Sequence, residues 1–167
     1  SPVRSGEMVA TIKVIPFAVP FGLVAAAQKR AAQSLAECGG LIRIAPFVPR
    51  RMGLILTRTQ GLPESILDRA AAAQRVRAER LSSQIVEEQR CSHDEESVKE
   101  SLRSLSAAGC DPILVLGASA IVDRRDVIPS AIESVGGQIV QLGMPVDPGN
   151  LLLLGTIGST TVIGVPG

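Results

Sequence analysis

The feature of this sequence that most restricts its fold is the apolar run Gly-Leu-Ile-Leu at residues 53–56, which leads into Thr57, Arg58 and Thr59. A strand with one face in water alternates apolar and polar residues, whereas this run contains no polar position. It therefore predicts a strand buried on both faces, as in a parallel sheet. Residues 112–116 form a second run of the same kind.

Helical and extended segments alternate around these two runs. Ser92 stands three residues before Glu95, as in a capping box, and opens a predicted helix that ends at Gly109. The other predicted segments are helices at 63–81 and 127–135 and strands at 83–88, 138–142, 151–154 and 160–163. This order predicts an α/β fold, a three-layer α/β/α sandwich with a mainly parallel sheet.

The first fifty residues differ from the rest of the chain. The predicted segments here are a strand at 8–19, an alanine-rich helix at 21–38 and a short strand at 41–47, followed by a proline-containing linker. We therefore expect a small N-terminal strand-helix appendage at 1–50 and a main domain at 51–167. Because the sequence starts on Ser and stops on Gly, we also expect it to be a piece of a longer polypeptide.

The composition argues against several classes of partner. The 17 basic and 16 acidic residues nearly cancel, so no net field attracts nucleic acid or an anionic membrane. Aromatic residues make up 2% of the chain, so the stacking platforms of a single-strand binder are missing. Neither the Gly-x-Gly-x-x-Gly pattern of dinucleotide dehydrogenases nor a P-loop is present. No signal sequence and no bilayer-length apolar run is found.

The cysteines and the histidine give no sign of a structural metal. Cys38, Cys91 and Cys110 lack the Cys-x-x-Cys spacing of zinc sites, and His93 is the one histidine of the chain. We expect free thiols in a reducing compartment, and hence a cytoplasmic protein. No local serine or cysteine partner marks His93 as half of a catalytic pair, so we interpret it as a surface residue.

Three loops are candidates for a ligand site. Right-handed crossovers place the loops after Leu56 and Leu116 at the carboxyl edge of the sheet, where such folds bind ligands. In the first loop, residues 57–61, hydroxyls and amide nitrogens could hold a phosphate while Arg58 adds charge. The alternative is a loop that only caps the next helix.

The second loop, residues 117–126, begins with small residues that would let a ligand approach the backbone. Asp123 and Asp126 could bind a divalent cation or orient a reacting group. Alternatively, both carboxylates pair with Arg124 and Arg125 at the start of a solvated helix. In the third loop, residues 146–150, the Pro-Gly dipeptide indicates a turn.

The order of these loops resembles the molybdopterin-binding domain of molybdenum insertases and related adenylyltransferases. Residues 116–123, LGASAIVD, are similar to the family's glycine-rich loop that ends in aspartate. Residues 146–151, VDPGNL, are similar to its Pro-Gly loop, and residues 164–167, GVPG, to its Gly-Leu-Pro-Gly end. The first loop is similar to the family's Thr-Gly start, and the resemblance covers residues 53–167.

The resemblance implies a set of functional residues. Roles in binding molybdopterin fall on residues of all three loops: Thr57, Gly117, Ala118, Ser119, Pro148, Gly149 and Asn150. The catalytic role falls on Asp123, which would also be the ligand of any metal, with Mg²⁺ as the candidate.

The sequence also departs from the family pattern. Asp147 and Asn150 stand where the third loop has lysines, Ala118 replaces a glycine, and Val122 replaces the glycine before the aspartate. These changes weigh against an active insertase, because charge beside a phosphate matters most in a desolvated site. The sequence is similar to the N-terminal half of a fusion with a molybdenum cofactor cytidylyltransferase. The resemblance thus implies a molybdopterin-binding partner domain of a C-terminal nucleotidyltransferase, in a homo-oligomer.

Two alternatives remain open. The chain could be an autonomous molybdopterin molybdotransferase or adenylyltransferase. It could also be a non-catalytic oligomerisation module, since α/β sandwiches host many unrelated functions.

Overall fold

The computed structural model describes residues 3–11, 13, 16–40, 42–145, 147 and 149–165. The chain divides into two compact units, Ser1–Pro46 and Phe47–Gly167.

The first unit contains one helix, α1 (Phe21–Cys38), as the alanine-rich sequence predicts. It ends at Gly39, which adopts the left-handed conformation with φ of 77° and donates its N–H to Leu35 O at 3.0 Å. The strands predicted at 8–19 and 41–47 are wrong, because the described residues of both segments form no strand. A strand needs a partner to pair with, and this unit offers none among its described residues.

The second unit is built on a six-stranded sheet in the order β2-β1-β3-β6-β5-β4. The strands are β1 (Arg51–Arg58), β2 (Gln84–Ser92), β3 (Ile113–Leu116), β4 (Gln138–Leu142), β5 (Leu153–Ile157) and β6 (Thr160–Val165). The pairs β1–β2, β1–β3 and β3–β6 are parallel, and β5 runs antiparallel to both of its neighbours. The predicted mainly parallel sheet is confirmed.

Three helices complete the sandwich: α2 (Glu64–Arg80), α3 (Glu95–Ala107) and α4 (Val127–Ser134). Helices α3 and α4 share one apolar core with the sheet, which includes Ile55, Leu102 and Ile132, each at most 1% exposed. Helix α2 packs on β1 and β2 and belongs to a second core, which includes Leu54 and Leu67. The two cores lie on opposite faces of the sheet, because neighbouring residues of a strand such as Leu54 and Ile55 point to opposite sides.

The start of α3 differs from the predicted capping box. Ser92 is the last residue of β2 and pairs with Arg58 of β1, so it is part of the sheet. Asp94 is the N-cap instead, and its carboxylate accepts the Ser97 N–H and hydroxyl, both at 2.9 Å. These hydrogen bonds lower the pKa of Asp94.

The outer strand β2 carries an ion-pair network on its surface. Arg90 contacts Glu64, Asp68 and Glu88 at 2.7–2.9 Å. The register of β2 against β1 shifts after Met52, so β2 contains one extra residue at this point, as in a β-bulge.

Cys38, Cys91 and Cys110 are free thiols. Across the described ranges, no helix combines the length and apolarity that crossing a membrane requires.

Candidate functional site

The carboxyl ends of β1, β2 and β3 bring three side chains together at one edge of the sheet. Leu56 of β1 pairs with Leu116 of β3, and Arg58 of β1 pairs with Ser92 of β2. Thr57 is the next-to-last residue of β1, His93 follows β2, and Ser119 lies in the loop after β3. The predicted meeting of the first and second loops is therefore confirmed by the strand register.

Thr57 is the buried centre of this arrangement, at 1% exposure. Its Oγ1 accepts the backbone N–H of Ala118 at 2.8 Å and lies 2.7 Å from Nδ1 of His93. The carbonyl oxygen of Leu116 is farther away, at 3.5 Å. Thr57 thus connects the first loop to the second.

His93 bridges Thr57 and Ser119. Its Nε2 lies 2.9 Å from Oγ of Ser119, and its backbone N–H donates to Arg58 O at 2.9 Å. The ring is half-buried, so the interpretation of His93 as a surface residue is wrong. Nothing near His93 in sequence indicates this role, because its two partners lie 36 and 26 residues away along the chain.

Gly117 and Ala118 sit differently in the second loop. A Cβ on the buried Gly117 would lie 2.8 Å from Ile128 Cδ1 and from Ser119 O, so packing inside the chain accounts for this glycine. Ala118 is exposed and is held to Thr57 through its amide.

A pocket of about 200 Å³ opens beside these residues, between the ends of β1 and β3 and the start of α2. Thr57, Gly117 and Ala118 of the predicted set line it together with apolar side chains of Leu62, Ile66 and Ala70. Arg58, which was expected to add charge to the first loop, instead pairs with Glu64.

Asp123 and Asp126 bind their own backbone. Asp123 Oδ1 accepts the Arg125 N–H at 2.8 Å, and Asp126 Oδ2 accepts the N–H groups of Val122 and Asp123 at 2.7 and 2.8 Å. The bonds from Asp123 and Val122 lower the pKa of Asp126. The alternative pairing with Arg124 and Arg125 side chains is not what forms, since Arg124 contacts Glu133 at 3.7 Å.

A ready-made metal cluster is missing from the described part of the chain, where no three or more His, Cys, Asp or Glu side chains converge. Asp123 is exposed and would bring a single carboxylate to a cation. Its predicted catalytic and metal-binding roles stay predictions.

The third loop lies at the same edge of the sheet but apart from the other two. It connects β4 to β5, and β4 is three strands from β3, roughly 14 Å at the usual strand spacing. Gly149 is half-buried with φ of 125° and accepts the Leu152 N–H at 3.0 Å, whereas Asn150 is exposed. Pro148 lies outside the described residues. Hydrogen bonds join the first two loops to each other, and those found for Gly149 stay within its own loop.

Solved structures with a similar fold are proteins of molybdenum cofactor biosynthesis. The structure of molybdenum cofactor biosynthesis protein B aligns with a TM-score of 0.57 and 18% identity over 74% of this chain and 83% of that one. The molybdopterin biosynthesis MoeA protein from Pyrococcus horikosii aligns with a TM-score of 0.49 and 19% identity over 71% of this chain, which spans 30% of that one. A MogA structure aligns with a TM-score of 0.46 and 20% identity over 71% of this chain and 83% of that one.

The alignment with cofactor biosynthesis protein B, at a TM-score of 0.57, shows that the two proteins share an α/β sandwich fold, and at 18% identity it shows the fold alone. No protein-family model matches the chain. No curated protein matches it in sequence.

Proposed function

We propose that this chain binds molybdopterin or the molybdenum cofactor during cofactor biosynthesis, as the partner domain of a nucleotidyltransferase. The observation that carries the proposal is the link from Thr57 through His93 to Ser119. It holds two loops together beside a pocket at the edge of the sheet where open α/β folds bind ligands. The fold shared with a cofactor biosynthesis protein supports the choice of ligand.

In this proposal each residue of the site contacts or supports the ligand in a different way. Ser119 is exposed and offers a hydroxyl to the ligand, whereas Thr57 and Gly117 are buried and hold the loop in its conformation. Ala118 and the neighbouring apolar side chains form the wall on which a flat ring system would lie. Gly149, Asn150 and Pro148 would contact the far end of an extended ligand.

Asp123 has a more limited role in this proposal. One carboxylate oxygen already accepts the Arg125 amide, which leaves Oδ2 for a cation such as Mg²⁺ that arrives with the ligand. An autonomous transferase would need more than this one carboxylate, so we favour ligand binding over catalysis by this chain alone.

The second candidate, a non-catalytic oligomerisation module, is favoured by a different surface. An apolar groove of about 380 Å³ runs beside α2, lined among others by Met52, Leu114, Ile163 and Val165. Apolar surface of this kind is common where proteins associate. A stable oligomer that shows no affinity for molybdopterin would favour this candidate over the first.

The test is calorimetric titration of the chain with molybdopterin, with and without Mg²⁺. We expect saturable binding, and Ser119→Ala should weaken it by about 1.5–3 kcal/mol, the usual contribution of a hydrogen bond to a charged group. Ser159→Ala is the matched control, because Ser159 is exposed in the turn before β6, at the opposite edge of the sheet. An absence of binding by the unaltered chain would contradict the proposal.

A further inference from the structure

The hydrogen-bond distances around Thr57 favour one direction for its hydroxyl proton. A threonine hydroxyl has one proton to donate and two lone pairs to accept with. The backbone N–H of Ala118 can only donate, so it occupies one lone pair of Thr57 Oγ1 at 2.8 Å. The hydroxyl proton can go to Nδ1 of His93 at 2.7 Å or to Leu116 O at 3.5 Å. Because hydroxyl hydrogen bonds are strongest near 2.7–2.8 Å, Nδ1 of His93 is the better of these two acceptors.

The direction of the Thr57 hydrogen bond determines which nitrogen of the imidazole carries the proton. When Nδ1 accepts the Thr57 proton, a neutral ring carries its own proton on Nε2. That proton points at Oγ of Ser119, 2.9 Å away. Ser119 is therefore the acceptor in this pair, and its own hydroxyl proton remains free to donate to a ligand.

The reverse direction fits the distances poorly. For Ser119 to give its proton to Nε2, the ring would have to carry its proton on Nδ1. Thr57 Oγ1 would then accept from both Nδ1 and the Ala118 amide and would have only the 3.5 Å contact with Leu116 O left for donation. The arrangement thus works against activation of Ser119 as a nucleophile by His93.

Protonation of His93 leaves the direction at Ser119 unchanged. A charged imidazole donates at both nitrogens, so the bond to Thr57 reverses, whereas Ser119 still accepts from Nε2 and still directs its own proton outward. His93 interacts electrostatically with the carboxylates of Asp94 and Asp126 and is a minor cause of the lowered pKa of each. Both are engaged with other donors, Asp94 with Ser97 and Asp126 with the amides of Val122 and Asp123.

We propose that Thr57, His93 and Ser119 form a one-way hydrogen-bond relay, anchored on the Ala118 amide, that presents the Ser119 hydroxyl as a donor to an anionic oxygen of the ligand. His93 is the positioning residue of this relay. The inference rests on the proposed function for its ligand, since the phosphate of molybdopterin would supply the anionic oxygen. Free inorganic phosphate offers the same chemistry.

The direction can be measured without any ligand. His93 is the one histidine of the chain, so ¹⁵N-histidine labelling of the full 167-residue chain gives a single imidazole spectrum. At alkaline pH we expect the proton on Nε2 and a bare Nδ1. A proton on Nδ1 would overturn the relay and would make Ser119 the residue to test with a fluorophosphonate, which reacts with activated serines.

Two variants of Thr57 check the origin of this preference. Thr57→Ser keeps the hydroxyl and should keep the proton on Nε2. Thr57→Val removes the donor and should give a mixture of the two ring forms. If Thr57→Val does not fold, the spectrum of the unaltered chain and of Thr57→Ser still decides the direction. An unchanged spectrum in a folded Thr57→Val would show that Thr57 does not set the direction.

The donor role of Ser119 is tested with molybdopterin and with inorganic phosphate in parallel. We expect His93→Leu to weaken binding by about tenfold, the scale of one hydrogen bond to a charged group. His93→Gln, whose amide nitrogen can still donate to Ser119, should recover most of the loss. Binding by molybdopterin alone identifies the ligand as a phosphate carried on the pterin, and equal binding by phosphate identifies a general anion site.

The failures of the two proposals are distinguishable. If molybdopterin does not bind while phosphate binds and responds to His93→Leu, the relay stands and the proposed function fails. If a ligand binds to the two variants His93→Leu and Ser119→Ala with the same affinity as to the unaltered chain, the relay does not act on that ligand.

Discussion

The two halves of the loop after β3 differ in where their hydrogen bonds go. In residues 117–119, Ala118 and Ser119 bond to the side chains of Thr57 and His93, so they join parts of the chain that lie far apart in sequence. Residues 122–126 fold back on themselves, and the carboxylates of Asp123 and Asp126 bind amides of the same segment. The first half holds the edge of the sheet together, and the second half is a local turn that starts α4. We therefore expect ligand binding to depend mainly on the first half.

The largest effect should come from adding volume to the first half. Gly117→Val should lower the free energy of unfolding by about 2–3 kcal/mol, because the new side chain meets Ile128 and a backbone carbonyl, both 2.8 Å from its Cβ. Urea unfolding of both proteins measures the change. Ala120→Val, at an exposed position nearby, should change stability by less than about 0.5 kcal/mol. Equal effects of the two substitutions would contradict the close packing around Gly117.

The next effect concerns the anchor of the relay. Thr57→Val should cost about 1–2 kcal/mol of stability, because it leaves the Ala118 amide and the His93 ring without their partner. Thr57→Ser, which keeps the hydroxyl, should lose less. Thermal and urea unfolding of the two variants give the comparison, and a more stable Thr57→Val would contradict it.

A smaller effect on stability should appear at acidic pH, and it should come from the second half of the loop after β3. The folded state holds the pKa of Asp126 below its unfolded value, so its ionised form stabilises the fold above about pH 4, the usual Asp value. This contribution is lost as the pH falls through the lowered pKa. In Asp126→Asn the dependence of unfolding free energy on pH should be shallower below pH 4. Glu100→Gln, an exposed carboxylate on α3, is the control and should leave more of that dependence in place.

The smallest effect should come from Asp123. Asp123→Asn keeps an oxygen for the Arg125 amide, so stability should change by less than about 0.5 kcal/mol. Binding of molybdopterin should fall only in its Mg²⁺-dependent part, as measured by titration at two Mg²⁺ concentrations. A loss larger than that of Ser119→Ala, with or without Mg²⁺, would move the centre of the site to the second half of the loop.

The sequence predicted what local patterns determine. The apolar runs gave the positions of β1 and β3, and the alanine-rich segments gave α1 and α2, because burial and helix propensity act on neighbouring residues. The capping residue was misplaced by two positions, since Ser92 is held by pairing with β1 and leaves the cap to Asp94. The strand predicted at 8–19 is wrong because the described residues of this segment pair with no strand.

The site was only partly predictable for the same reason. The resemblance named Thr57 and Ser119, but nothing near either residue in sequence indicates that His93 joins them. Three strands have to be placed side by side before these groups meet. Asp123 was predicted as a functional residue because it is acidic and lies in a glycine-containing loop. Its hydrogen bond to the Arg125 amide depends on the geometry of the turn, which the sequence does not indicate.

The ion pairs and the bulge of β2 also bear on how the protein behaves at high concentration. An outer strand offers unpaired amides and carbonyls to any other strand, and natural proteins block such pairing with charges and bulges. Arg90 and its carboxylate partners guard β2 in this way. The other outer strand, β4, reads QIVQL, carries no charge and exposes Val140. Intermolecular strand pairing, and with it aggregation, should therefore begin at β4.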